Sequence, residues 1–212
     1  MIGAVLLAAG GAVRMGRSKL LLAAEGRSLV RRAAEAACAS RCRPVVVVVL
    51  GADARALAGE LAGLRVRPVI NPLWRSGLAS SIRMGIRSLP RSCEAAVLLL
   101  ADQPRVGAAE IDRLICAWLR SGRPVAAASY GGTVGAPAVF ERRLFPALLA
   151  LRGDAGARQL LRGLGDRVEK VPLDEGAEDL DRWEEWERFR NSGRPSVLQQ
   201  SHGPGGACAE RG

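Results

Sequence analysis

Leu-Leu-Ala-Ala-Gly-Gly-Ala-Val-Arg-Met-Gly-Arg-Ser-Lys, residues 6–19, is the stretch whose reading decides the fold. An apolar run over residues 3–8 enters a loop that contains Gly10, Gly11 and Gly16, and a helical pattern follows. That order is the layout of a phosphate cradle at the C-terminal edge of a parallel sheet. Glycines let backbone N–H groups turn inward onto an anion, and Arg14 and Lys19 supply the positive charge a polyphosphate needs. The loop is neither a Walker A sequence nor a dinucleotide fingerprint. Gly-x-x-x-x-Gly-Lys-Ser/Thr is absent, and Gly11-x-x-x-x-Gly16 has the wrong spacing for Gly-x-Gly-x-x-Gly.

Outward from this loop, strand and helix patterns alternate. A helix is predicted over 28–38. A strand follows over 45–50, where Val-Val-Val-Val-Val-Leu has the unbroken apolar character of a strand covered on both faces. Asp53 is a candidate N-cap for a helix to residue 62. Residues 67–70 read as a strand, 78–89 as a helix, 95–100 as another buried strand and 110–120 as a helix. Strands over 124–129 and 136–140 flank a glycine-containing loop, 131–135. Helices over 142–151 and to residue 162, a strand over 167–171 and an amphipathic helix over 178–190 with Trp183 and Trp186 complete the pattern. The alternation predicts an α/β fold, a mostly parallel central sheet with helices on both faces. The domain spans residues 1–190. Residues 191–212, rich in Ser, Gly, Pro and Gln without apolar periodicity, read as a disordered tail.

Composition narrows the chemistry. The 212 residues suffice for one domain with a real core and are few for two. The formal net charge of +10 favours an acidic ligand. Its arginines are scattered along the chain rather than gathered in one patch, which speaks against nucleic acid as the partner. Lys19 and Lys170 are the only lysines, and one of them sits in the cradle. The five cysteines show no metal-ligand spacing, which points to reduced thiols. No run approaches the roughly 18 apolar residues of a membrane span, so a cytoplasmic protein with no membrane partner is expected. The single histidine, His202, lies in the polar tail. Ser-His-Asp, Cys-His and histidine-metal chemistry are thereby disfavoured, leaving carboxylates, Arg, Lys and backbone amides.

Three further constellations carry chemistry. Asp102, in Ala-Asp-Gln-Pro at the tip of the 95–100 strand, stands where open α/β sheets place their ligands. It is either a magnesium ligand beside phosphates or a turn aspartate. Asn71-Pro-Leu-Trp-Arg-Ser-Gly77-Leu-Ala-Ser80-Ser81 follows a strand and opens a helix. It offers free N–H groups and hydroxyls to a ligand, or else Ser80 and Ser81 are caps and Trp74 a core aromatic. The loops at 131–135 and 153–158 could hold a second anion, with Arg158 as clamp, or be ordinary turns.

Taken together, these motifs resemble the molybdenum cofactor cytidylyltransferases and their MobA-like nucleotidyltransferase relatives. The resemblance rests on Leu-Ala-Ala-Gly-x-x-x-Arg-Met-Gly-x-x-Lys-Leu-Leu (7–21), Asn-Pro-x-Trp-x-x-Gly-Leu-x-Ser-Ser (71–81), Asp-Gln-Pro (102–104), Gly-x-x-Gly-x-Pro-x-x-Phe (132–140) and Gly-Asp-x-Gly-Ala-Arg (153–158). It covers roughly residues 3–190 and implies a Rossmann-like nucleotidyltransferase fold with a mixed sheet. The implied activity is Mg²⁺-dependent transfer of CMP from CTP to the phosphate of a molybdopterin-type acceptor, with release of pyrophosphate. By that likeness Leu7, Ala8, Ala9, Gly10, Gly11, Arg14 and Lys19 hold the triphosphate, and Asn71, Gly77, Ser80 and Ser81 line the nucleotide pocket. Gly132, Gly135, Asp154 and Arg158 face the acceptor; Asp102 binds the metal. Relatives that use GTP show Leu-Ala-Gly-Gly, so Ala9 fits the CTP branch. Relatives carry a second metal aspartate near the last helix, and Glu175 stands at that place here. The chemistry suits a chain poor in histidine, because an attacking phosphate monoester is already anionic near neutral pH and catalysis reduces to alignment and charge neutralisation.

The alternatives are a nucleotidyltransferase that uses GTP or another phosphorylated acceptor, and a non-catalytic carrier that hands the pterin to a molybdenum hydroxylase client.

Overall fold

A computed structural model describes residues 1–11, 18–24, 26–42 and 44–173. Nine strands and six α-helices are found among them, linked by short 3₁₀ turns. In chain order they are β1 (Ile2–Ala8), β2 (Ala23–Ala24), β3 (Arg27–Ser28), α1 (Leu29–Ala39), β4 (Val46–Leu50), α2 (Ala54–Glu60), β5 (Arg67–Ile70) and α3 (Leu78–Ser88). There follow β6 (Ala95–Leu100), α4 (Ala108–Ser121), β7 (Val125–Tyr130), β8 (Thr133–Glu141), α5 (Phe145–Ala150), α6 (Ala157–Leu164) and β9 (Val168–Pro172). The predicted 178–190 helix and the 191–212 tail lie outside the described residues.

Seven strands form one sheet in the order β5-β4-β1-β6-β8-β7-β9. β5, β4, β1 and β6 are mutually parallel, β8 is antiparallel to both of its neighbours, and β9 is parallel to β7. β2 and β3 make a separate two-stranded ladder. The expected α/β architecture is therefore present, with one reversed strand.

Side chains alternate across the sheet, as a period of two requires. Ala4, Leu6 and Ala8 of β1 and Val46, Val48 and Leu50 of β4 pack with Ala34 of α1, Leu57 of α2 and Ile111 of α4. Val5 and Leu7 of β1 and Val47 and Val49 of β4 pack with Ile82 of α3, Leu148 of α5 and Leu161 of α6. Helices thus cover both faces. The valine run over 45–50 is explained: every residue of β4 is buried because each face has its own helical layer.

Several local expectations are corrected. Asp53 stands at the N-cap of α2 with φ 53°, but its side chain makes no capping bond, and the helix ends at Glu60. In contrast, the Ser28 hydroxyl accepts the Arg31 amide at 3.4 Å and caps α1. The 142–151 segment opens with a 3₁₀ turn, and its α-helix begins only at Phe145. The presumed loop 131–135 is mostly strand. β8 starts at Thr133, and the connection is a two-residue turn in which Gly131 and Gly132 have φ of 53° and 73°. Two successive positive φ values match the twist of a tight hairpin, which is why β8 returns antiparallel beside β7.

Candidate active site

The strand order reverses its direction of growth between β1 and β6, since β4 and β5 lie on one side of β1 while later strands lie on the other. Helices leaving neighbouring strands to opposite sides of this point open a crevice at the carboxyl ends. Backbone bonds tie those ends together: Ala101 N–H donates to Leu7 O at 3.2 Å, Ala52 N–H to Ala9 O at 3.3 Å, and Asn71 N–H to Leu50 O at 2.7 Å. The cradle residues Gly10 and Gly11, the Asp102 turn, the 71–81 segment and the β7–β8 hairpin all emerge on this edge.

Lys19 opens a 3₁₀ turn, Lys19–Leu21, anchored by the buried Leu20. Its Nζ lies 2.8 Å from Oδ2 of Asp102, with the two side chains 15% and 23% exposed. The structure thus brings together the cradle lysine and the strand-tip carboxylate, two groups that sequence spacing alone does not connect. The Ser18 hydroxyl next to Lys19 is buried without a hydrogen-bond partner among the described residues. Arg14 and Glu175 lie outside the described residues.

Asn71, Ser80 and Ser81 are only 1%, 4% and 3% exposed. Asn71 Nδ2 donates to Ser80 Oγ at 2.8 Å and to Ser81 Oγ at 3.0 Å, and Asn71 Oδ1 accepts the Leu73 amide at 3.0 Å. Ser80 Oγ in turn reaches the carbonyls of Leu73 and Gly77. These polar groups bond to one another and shape the 71–78 turn, so the surface the turn presents carries Leu73, Arg75, Ser76 and Leu78 rather than Asn71, Ser80 or Ser81. Trp74 is seated by that turn against the cradle: a Cβ at Gly11 would come within 2.9 Å of its ring, and one at Gly51 within 2.7 Å of its Cβ. The exposed Arg75 guanidinium stacks over the indole at 4.2 Å, adding a cation near the cradle that sequence reasoning did not single out.

The acceptor-side residues fall into two groups. Gly132 is exposed in the hairpin turn, whereas Gly135 is buried inside β8 beside a register shift. Tyr130 Oη lies over Gly135, donates to Ala136 O at 3.1 Å, and leaves Gly135 no room for a side chain; Arg158 also approaches this point. Gln103, 2% exposed, donates from Nε2 to the same Ala136 carbonyl at 3.2 Å and ties the Asp102 turn to β8. Asp154 and Arg158 are exposed. Their loop touches the 71–81 segment, because the Ala79 amide donates to Gly153 O at 3.1 Å. Gly77, with φ 103°, faces that same carbonyl closely.

A metal is implied by carboxylate chemistry at a phosphate site. Among the described residues no group of three His, Cys, Asp or Glu side chains could enclose one. Asp102 offers a hard oxygen donor of the kind magnesium or manganese takes, and these ions need only one or two carboxylates when phosphate oxygens complete the shell. Burial pushes the Cys42 thiol up to about 12 and also raises Cys38 and Cys93, which disfavours a thiolate at these three positions. A second concavity of about 1080 Å³ lies at the opposite end of the sheet, lined by Arg41, Glu94, Asp112, Trp118 and Arg142 among others. Asp112 accepts the Arg41 amide there, and Arg142 donates to Cys93 O, so these groups brace the fold away from the crevice.

A glycine-rich cradle, a lysine and a carboxylate at the switch point define a nucleotide-binding α/β protein of the phosphate-transfer kind. Residues 4–170 match the model of the MobA-like NTP transferase domain, and the chain belongs to that nucleotidyltransferase family. It is 37% identical over 167 residues to the nicotine blue oxidoreductase of Paenarthrobacter nicotinovorans, covering 74% of this chain and 80% of that one. It is 30% identical over 201 residues to the purine catabolism protein PucB of Bacillus subtilis strain 168, covering 89% and 95%. Among solved structures, Rv0371c of Mycobacterium tuberculosis H37Rv in complex with manganese is similar at 25% identity and a TM-score of 0.72, covering 90% and 98%.

Proposed function

We propose that the protein is a Mg²⁺-dependent cytidylyltransferase that joins CMP from CTP to the terminal phosphate of a molybdopterin-type acceptor. The observation that carries this proposal is the Lys19–Asp102 pair, 2.8 Å apart at the switch point beneath the glycine cradle. Ala9 in Leu-Ala-Ala-Gly supports CTP over GTP.

In this mechanism an acceptor phosphate oxygen attacks the α-phosphorus of CTP, a new P–O bond forms, and the bond to the β-phosphate oxygen breaks with departure of pyrophosphate. The nucleophile arrives already ionised, so no side chain has to remove a proton. Backbone amides of residues 7–11, together with Arg14 and Lys19, hold the triphosphate and neutralise the charge that gathers on the leaving pyrophosphate. The 71–81 segment forms a wall of the nucleotide site, with Gly77 at its tight turn and Asn71, Ser80 and Ser81 as internal braces. Gly132, Gly135, Asp154 and Arg158 border the acceptor, and Arg158 is suited to a bidentate grip on its phosphate. Asp102, with Glu175 as a second carboxylate, would hold magnesium, which supplies charge neutralisation between the phosphates. Delivery of the product to a molybdenum hydroxylase client is part of the same proposal.

The test is pyrophosphate release from CTP, GTP, ATP and UTP, with and without molybdenum cofactor. Cofactor-dependent release from CTP is expected. Release from GTP alone would move the base choice, and binding of cofactor without release from any nucleotide would favour the carrier role. The relative named an oxidoreductase favours a second reading, a redox activity on this fold. Electron transfer to an added organic acceptor without pyrophosphate release from any nucleotide would support that reading instead.

A further inference from the structure

Lys19 and Asp102 are each engaged by the other in a position where each is wanted elsewhere. The Nζ-to-Oδ2 distance of 2.8 Å is a charge-assisted contact, in a crevice that leaves less than a quarter of either side chain exposed. A small divalent cation on this carboxylate requires near-octahedral oxygen ligands at close range. An ammonium bonded to the same carboxylate repels that cation and blocks part of its shell, so the two cations compete for one anion. The anchoring of Lys19 makes exchange easy. Its backbone is fixed by the Lys19–Leu21 turn and buried Leu20, whereas the four-carbon stem carries a compact charge that can swing without moving the fold.

We infer that Lys19 is an internal stand-in for the metal, occupying Asp102 in the empty protein and yielding it when a metal–triphosphate complex enters. The amine then moves to a phosphate oxygen and the carboxylate turns to the metal, with no covalent bond made or broken. Divalent cation alone binds poorly, because its binding has to break the 2.8 Å ammonium–carboxylate contact. Nucleotide and metal together bind well, because the triphosphate gives the ammonium phosphate oxygens in place of the carboxylate. Such coupling is reciprocal: Lys19 makes metal affinity depend on nucleotide and nucleotide affinity depend on metal. The destination of the amine rests on the transferase reading; the competition for Asp102 does not.

The experiment uses Mn²⁺ alone, titrated into the full chain without nucleotide and followed by electron paramagnetic resonance. Lys19→Met is expected to bind Mn²⁺ about fivefold or more tightly than the unaltered protein, and Asp102→Asn to lose the site in either background. A second measurement needs no substitution at position 19. Lys19 and Lys170 are the only lysines, so limited acetylation with peptide mass analysis reads each amine separately. Lys19 is expected to acetylate slowly in the empty protein and several-fold faster at saturating Mn²⁺, while Lys170 keeps its rate. In Asp102→Asn, the Lys19 rate is expected to be indifferent to Mn²⁺. Equal Mn²⁺ affinity in the unaltered protein and Lys19→Met, or a Lys19 rate unmoved when Mn²⁺ saturates the site, overturns the inference while leaving Asp102 as metal ligand. Mn²⁺ binding that survives Asp102→Asn overturns both the inference and the metal assignment. Absence of pyrophosphate release with all Mn²⁺ results as expected overturns the transferase reading alone.

Discussion

At the residue scale, Asp102 is the group on which most depends. Asp102→Ala removes the carboxylate that pairs with Lys19, so kcat for nucleotidyl transfer is expected to fall by about a hundredfold or more. Unchanged turnover would rule out the metal role. Asn71 is expected to behave differently. Its buried amide holds Ser80, Ser81 and the Leu73 amide, and Asn71→Ala strands those groups at a cost of about 2–4 kcal/mol of folding stability, measurable by urea denaturation. Cys42 supplies a pH signature. Burial raises its thiol to about 12 from an unfolded value near 9.0, so the unfolded chain ionises first. The stabilisation is whole below pH 9 and is lost as pH rises toward 12. Melting temperature should therefore drop across that window, and less steeply in Cys42→Ala.

At the scale of elements, buried strands were easier to read than turns. The valine run of β4 announces itself because two helical layers demand apolar residues at every position. The β7–β8 hairpin hides because glycines at 131 and 132 look alike in a loop and in a tight turn; only their paired positive φ values distinguish the two. The 71–81 segment is legible as a strand-to-helix junction, while the inward bonding of its polar side chains depends on how Asn71 is buried beside α3. Two glycines test the element packing. Gly77→Ala places a methyl against the Gly153 carbonyl at φ 103°, which is expected to cost about 1–3 kcal/mol and to raise KM for nucleotide, since it pushes apart two walls of the crevice. Gly85→Ala drives a methyl of α3 into Val5 of β1. A similar loss of stability without a KM effect is expected there, because that contact lies beneath the sheet face rather than at its edge.

At the scale of the molecule, the sheet order makes the site. Placing β1 between β4 and β6 sets the cradle beside the Asp102 turn, and the parallel register from Ile2↔Ala95 to Leu7↔Leu100 fixes their height. Family membership spans residues 4–170, and no helix among the described residues is long and apolar enough to cross a membrane. Chelation of divalent metal is expected to stop transfer, with recovery on added Mg²⁺ or Mn²⁺.

Sequence alone determined the alternation of strands and helices and the glycine-rich stretch that follows the first strand, with Lys19 at its end, because those properties follow from local patterning and from which residues the chain contains. Only the tertiary structure decided that Lys19 meets Asp102, that Trp74 backs the cradle, and that Asn71, Ser80 and Ser81 turn toward one another. Those contacts join segments far apart in the chain, and the distance between them is set by strand order and register, which no spacing along the sequence encodes.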